Sequence, residues 1–119
     1  MQNYRNLLVW KKSHAVAVGI HRLTQTWTRR DNPALVSQIR RAAQSVPANI
    51  AEGSARATDR DFAKFIQIAI GSTVELEYHL EFARDIEVVS DADWRLQSAA
   101  VIEVRRMLVG LLKKLRRTQ

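Results

Sequence analysis

Phe62, Ile66, Ala69, Thr73, Leu76, Leu80 and Ala83 recur at strictly alternating steps of four and three residues. Only an α-helix brings such positions onto one face, and a seam kept for about six turns needs a partner surface of similar length. The helical period also marks Val9, Val16, Ile20, Leu23 and Trp27, then Leu35, Ile39, Ala42, Val46 and Ile50, then Val101, Val104, Leu108, Leu111 and Leu115. The one strand candidate, Glu87-Val88-Val89, is too short to pair. The pattern therefore predicts an all-α chain of four amphipathic helices.

Local signals place the helix ends. The first helix is expected from about Asn6 to Trp27, and Asn32 before Pro33 reads as an N-cap followed by proline at the first helical position. The second helix should close around Glu52, with Gly53 supplying the permissive conformation of a helix stop. Thr58 with Asp61, and Ser90 with Asp93, have the spacing of capping boxes that start the third and fourth helices. Pro47 lacks an N–H and crowds the preceding turn, so the second helix is expected to be interrupted there. Gly71-Ser72 inside the third helix lowers helix propensity and reads as a close packing contact. Short connections between long helices favour an antiparallel up-down-up-down bundle, with residues 1–119 forming a single domain.

Nineteen Lys and Arg against twelve Asp and Glu give a net charge of +7. That balance points to a polyanionic partner, although solvated basic faces alone can produce it. Cysteine is absent, which excludes a disulfide framework, a zinc–cysteine site and a thiol nucleophile. The first residues lack the basic-then-apolar order of a signal peptide, and no apolar run approaches the roughly 20 residues of a membrane helix. A cytoplasmic protein with no membrane contact is the expectation.

Folding four helices up and down would gather charges that are scattered along the chain. One end collects Arg5, Lys11, Lys12, Arg56, Arg60, Lys64, Lys113, Lys114, Arg116 and Arg117 against Glu52, Asp59 and Asp61. The other end, with Arg29, Arg30, Arg84 and Arg95 against Asp31, Asp85, Glu87, Asp91 and Asp93, is slightly acidic. Clustered cations bind phosphate backbones through charge and counterion release, with little sequence choice. The expected nucleic-acid contacts are Arg5, Lys11, Lys12, Arg56, Arg60, Lys113, Lys114, Arg116 and Arg117. The tail cations also lie at a helix C-terminus, where the dipole favours them by about 0.3–1 kcal/mol. Trp10 is a candidate for base stacking, whereas Trp27 and Trp94 are expected to pack the bundle end.

The word QIRRAAQSVPANIAEG, residues 38–53, combines paired Arg40-Arg41, an internal Pro47, Asn49, Glu52 and Gly53. Together with Leu8-Val9-Trp10-Lys11, Leu23-Thr24, Phe62-Ala63-Lys64-Phe65 and residues 69–77, it resembles a bacterial family of four-helix-bundle proteins. That family is known from reading frames inside intervening sequences of 23S ribosomal RNA genes. The resemblance implies a homo-oligomer, specifically a homopentamer. It also implies a fold similar to the accessory variability determinant proteins of diversity-generating retroelements, which work with nucleic acid. Adjacent helical residues point about 100° apart, so one of Arg40 and Arg41 should pair with Glu52, Glu75 or a neighbouring subunit while the other is free for phosphate. Asn49 and Glu52 are expected to satisfy backbone groups near Pro47 and Gly53.

Nothing in the chain assembles into a recognisable active site. His14 and His21 lie about 10.5 Å apart along a helix, too far to share an ion, and Glu75 with His79 is an isolated pair. The Glu-x-x-His repeats of di-iron bundles and a Gly-rich phosphate cradle are missing, and neither Ser45 nor Ser72 has an evident base. The expectation is a non-enzymatic, cofactor-free and metal-free nucleic-acid-binding accessory module, acting on RNA or DNA through a basic bundle end. The competing expectation is an oligomeric scaffold that recruits a protein partner, with the helix-three acids Glu75, Glu77, Glu81 and Asp85 meeting basic helices.

Overall fold

A computed structural model describes residues 3–27 and 32–118. A 3-10 turn, Tyr4–Asn6, precedes α1 (Leu8–Gln25), α2 (Pro33–Ser54), α3 (Asp59–Asp85) and α4 (Asp91–Arg117). Each helix packs against its two neighbours around the bundle, α1 against α2 and α4, and α3 against α2 and α4. The result is an up-down rod of 47 × 20 × 19 Å. Its length follows from 27-residue helices rising about 1.5 Å per residue.

Two apolar layers stack along the rod. Val9, Val46, Ile50, Phe62, Ile66, Leu108, Leu112 and Leu115 fill one, and Ile20, Leu35, Ile39, Leu76, Leu80, Val89 and Val101 fill the other. All seven α3 seam positions and all five of α2 are buried. Each large side chain removed from water in this way contributes about 1.5–3 kcal/mol. Trp27 and Trp94 pack against the second layer, as expected from their places near helix ends. In α4 the seam drifts by one position, so Leu112 is buried and Leu111 only half-buried.

One half of each expected capping box forms at α3 and α4, the bond to the cap side chain, while the Asp61 carboxylate faces Lys64 instead of the Thr58 amide. Thr58 Oγ1 accepts from the Asp61 amide and Ser90 Oγ from the Asp93 amide, both at 3.1 Å. Asn32 behaves differently: its backbone is left-handed (φ 67°) and its side chain makes no cap bond, so Pro33 alone marks the start of α2. At Pro47 the ladder lacks the proline's own hydrogen bond, yet the helical conformation continues to Ser54. The interruption is a missing rung within one element.

Neither of two glycines has the role expected of it. Gly53 has no positive φ and does not end α2; the stop comes at Ala55 and Arg56, whose amides bond Glu52 O and Gly53 O. A Cβ at Gly53 would lie 2.7 Å from Phe65 Cβ and 2.9 Å from Phe62 Cδ1, so this glycine sets how closely α2 approaches α3. Gly71 is exposed and a Cβ there would meet nothing within 4 Å, so it is no packing contact inside the bundle. A left-handed stop occurs at the end of a different helix: Glu87 (φ 64°) ends α3 with Val88 N→Ala83 O and Glu87 N→Arg84 O bonds at 2.9 Å.

These positions separate by sign in denaturant melts. Alanine gains about 1 kcal/mol over glycine in a helix interior, whereas overpacking a core costs about 1–3 kcal/mol. Gly71→Ala should therefore raise stability by up to about 1 kcal/mol, and Gly53→Ala should lower it by about 1 kcal/mol. Equal signs for the two would refute the assigned roles. Glu87→Gly, which removes the Cβ strain of a left-handed residue, should raise stability by about 0.5–1 kcal/mol, measured the same way.

Candidate nucleic-acid interface

The first apolar layer joins the start of α1, the end of α2, the start of α3 and the end of α4, so their terminal residues share one end of the rod. The Thr118 hydroxyl bonds the Asp59 carboxylate and ties α4 to the start of α3. Arg5, Lys11, Lys12, Arg56, Arg60, Lys64, Lys113, Lys114, Arg116 and Arg117 are all exposed there.

Ion pairing sorts these cations into two groups. Lys12 reaches Glu103 on α4 at 3.1 Å, Arg56 reaches Glu52 at 3.1 Å and Lys64 reaches Asp61 at 3.5 Å. Arg56 also lies over the Phe65 ring, 4.5 Å from its centroid. Arg5 lies 4.5 Å over the Tyr4 ring. Among the described residues, Lys11, Arg60, Lys113, Lys114, Arg116 and Arg117 have no carboxylate within 4.0 Å. Exposed pairs are worth only about 0–1 kcal/mol, so even the paired cations remain exchangeable for phosphate. The opposite end carries Arg84, which pairs with Asp85 at 3.0 Å and lies 3.9 Å over the Trp94 ring. Arg29, Arg30 and Asp31, assigned to that end from sequence, lie outside the described residues.

The paired arginines of α2 divide as their angular separation requires, with a different partner from those expected. Arg40 Nε donates to Thr24 Oγ1 at 2.8 Å and Arg40 Nη2 to His21 O at 3.3 Å, placing a cation at the carbonyl end of α1. Neither Glu52 nor Glu75 pairs with it: Glu52 holds Arg56, and Glu75 approaches His79 at 3.9 Å. Arg41 is exposed. Asn49 Nδ2 donates to Ser45 O at 2.7 Å and to Ser45 Oγ at 3.0 Å, and Ser45 Oγ meets Ser72 Oγ at 2.8 Å. Asn49 thus bonds the carbonyl one turn before it, not the Ala43 carbonyl that Pro47 leaves without a helical donor, and Glu52 accepts from Arg56 and not from the backbone as expected; the serine pair links α2 to α3. On α3 and α4, Glu77 pairs with Arg105 at 2.6 Å, which meets part of the expectation for the α3 acids.

Two surface features were not read from the sequence. Trp10 and His14 stack with centroids 4.8 Å apart and planes 8° from parallel, and Tyr4 packs edge-on against Trp10 at 4.9 Å. These rings, with His21, Gln44 and Pro47, border an open groove of about 410 Å³ between α1 and α2. The i,i+4 spacing of Trp10 and His14 was the available signal. The second feature is an exposed apolar line on α3, Val74, Tyr78 and Phe82, continued by Ile86 at its end. Its steps of four run beside the buried seam. Among the described residues no three His, Cys, Asp or Glu side chains gather as a metal site, and no helix is long and apolar enough to cross a membrane.

Comparison with known proteins agrees with this fold. A crystal structure of a protein of unknown function from the S23 ribosomal protein family of Bacteroides thetaiotaomicron superposes with a TM-score of 0.84 at 26% identity, covering 89% of this chain and 96% of that one. No curated protein matches the sequence. The family model described as 23S rRNA-intervening sequence protein matches residues 5–110. With four helices, the signature word in α2 and a match across nearly the whole chain, the protein belongs to the 23S rRNA-intervening sequence protein family.

Proposed function

We propose that this chain is a non-enzymatic accessory module that binds RNA or DNA through the basic end of its bundle. The observation that carries the reading is the exposed group of Lys11, Arg60, Lys113, Lys114, Arg116 and Arg117, contributed by three helices and left without carboxylate partners among the described residues. Cations at the end of α4 alone would follow from its dipole. Lys11 and Arg60 sit near helix N-termini, where the dipole disfavours them, so helix electrostatics do not account for the cluster. Phosphates supply the missing counter-charge, and such contacts position a nucleic acid without reading its sequence.

Catalysis has little support in the same geometry. The two serines considered as nucleophiles are engaged with each other and with Asn49, with no histidine or carboxylate among their bonded partners. The proposed location is the cytoplasm, where a cysteine-free basic protein meets nucleic acid.

The module is proposed to act as a homo-oligomer, with five subunits as the number implied by the family resemblance. A ring with its protomers pointing the same way would multiply the end charge through avidity. The exposed line Val74, Tyr78 and Phe82 also supports the second reading, a scaffold that recruits a protein, because the exposed acids Glu75, Glu81 and Asp85 flank it.

Two measurements test these readings. Neutralising Lys113, Lys114, Arg116 and Arg117 together should weaken binding to labelled RNA and DNA while the helical signal is retained. The slope of log affinity against log salt should flatten by about one for each phosphate that the variant no longer neutralises. An unchanged slope would remove the basic end from the mechanism. Replacing Tyr78 and Phe82 by serine should lower the mass seen by sedimentation equilibrium without unfolding the bundle. An unchanged mass in a variant that stops capturing a protein partner would favour the scaffold.

A further inference from the structure

The groove between α1 and α2 has a shape and chemistry that the charge cluster does not explain. Its volume of about 410 Å³ falls within the ~300–1,000 Å³ of small-molecule sites. Pro47 contributes to its wall from α2, and Trp10 and His14 form a parallel stack along α1. His14 is exposed, so the stack ends on a ring that solvent reaches. His21 and Gln44 add groups that can donate and accept hydrogen bonds.

A flat, polar-edged ring extends such a stack, and the surrounding charge selects what carries that ring. Arg5 lies over the ring of Tyr4, which lines the groove, and Lys11 lies three residues before His14 on α1, the spacing that makes helical residues neighbours. Both cations are exposed, and neither has a carboxylate within 4.0 Å among the described residues. An aromatic side chain of a protein would satisfy the stack but leave these cations unused. A base joined to phosphates on both sides satisfies both.

We propose that the α1–α2 groove stacks one unpaired base of a single-stranded nucleic acid on the Trp10–His14 pair, while Arg5 and Lys11 hold the neighbouring phosphates. The inference rests on the nucleic-acid reading above and adds to it a preference for unpaired strands over a bare phosphate backbone. Stacking on protein rings tolerates any base, because every base has a π-face.

The test compares a short labelled oligodeoxyadenylate with an abasic strand of equal length, using fluorescence anisotropy on the full chain. The wild type should bind the base-bearing strand more tightly. His14→Ala should weaken binding of that strand by about five- to one-hundred-fold and leave the abasic strand unchanged, and His14→Phe should restore the preference. Neutralising the α4 tail quartet should weaken both strands alike. Equal affinity of the wild type for the two strands, or an equal effect of His14→Ala on both, overturns the stacking site while the charge reading stands. Absence of salt-dependent binding to either strand by the folded wild type overturns both readings. A change in oligomeric mass with His14→Ala, without a loss specific to the base-bearing strand, would assign the groove to a second copy of the chain and also refute the proposal.

Discussion

The approach of α2 to α3 at Gly53 is the constraint on which the rest of the bundle depends. Phe62 and Phe65 occupy the space a Cβ would take, so the two helices meet closely just before their connection. That contact lets α3 start at Asp59, soon after α2 ends at Ser54, and turns the chain back on itself at once. The buried Phe62 also belongs to the apolar layer that joins Val9 of α1 to Leu112 and Leu115 of α4. Through that layer, one small residue influences where all four helices place their terminal charges.

Electrostatics then distinguishes positions that look equivalent in sequence. Lys11 and Lys12 are neighbours, yet only Lys12 reaches Glu103 on α4. Arg40 and Arg41 are neighbours too, and only Arg40 bonds the end of α1 through Thr24 and His21. The cause is the roughly 100° turn between successive helical residues, which sends one member of each pair toward an adjoining helix. Basic doublets therefore contribute both a structural tie and an exposed charge. The unpaired cations of α4, beside Lys11 and Arg60, form the resulting surface.

The family word in α2 serves several physical ends at once. Its seam residues Ile39, Ala42, Val46 and Ile50 fill the core, and Ser45 and Asn49 link the helix to Ser72 and to its own backbone near Pro47. Gln44 and Pro47 border the groove beside Trp10 and His14. A residue that only broke a helix would be poorly suited to this segment. Pro47 is buried and adds an apolar surface while the helix continues past it.

The helix count, the α3 seam and the Thr58 and Ser90 caps were legible in the chain because they depend on spacing over one or two turns. The clustering of basic residues at one end was also legible, since short connections allow little choice but antiparallel packing. Gly53 and Glu87 were not: whether glycine ends a helix or admits a neighbour depends on what lies across from it, and a left-handed stop can fall on glutamate when the surrounding bonds hold it. Pairing of Lys12 and Arg40, the groove beside Trp10, and the outward turn of Val74, Tyr78 and Phe82 belong to the same class. Sequence determined the period of each helix and the sign of its charges; tertiary structure decided partners and exposure, because both depend on distances between residues remote along the chain.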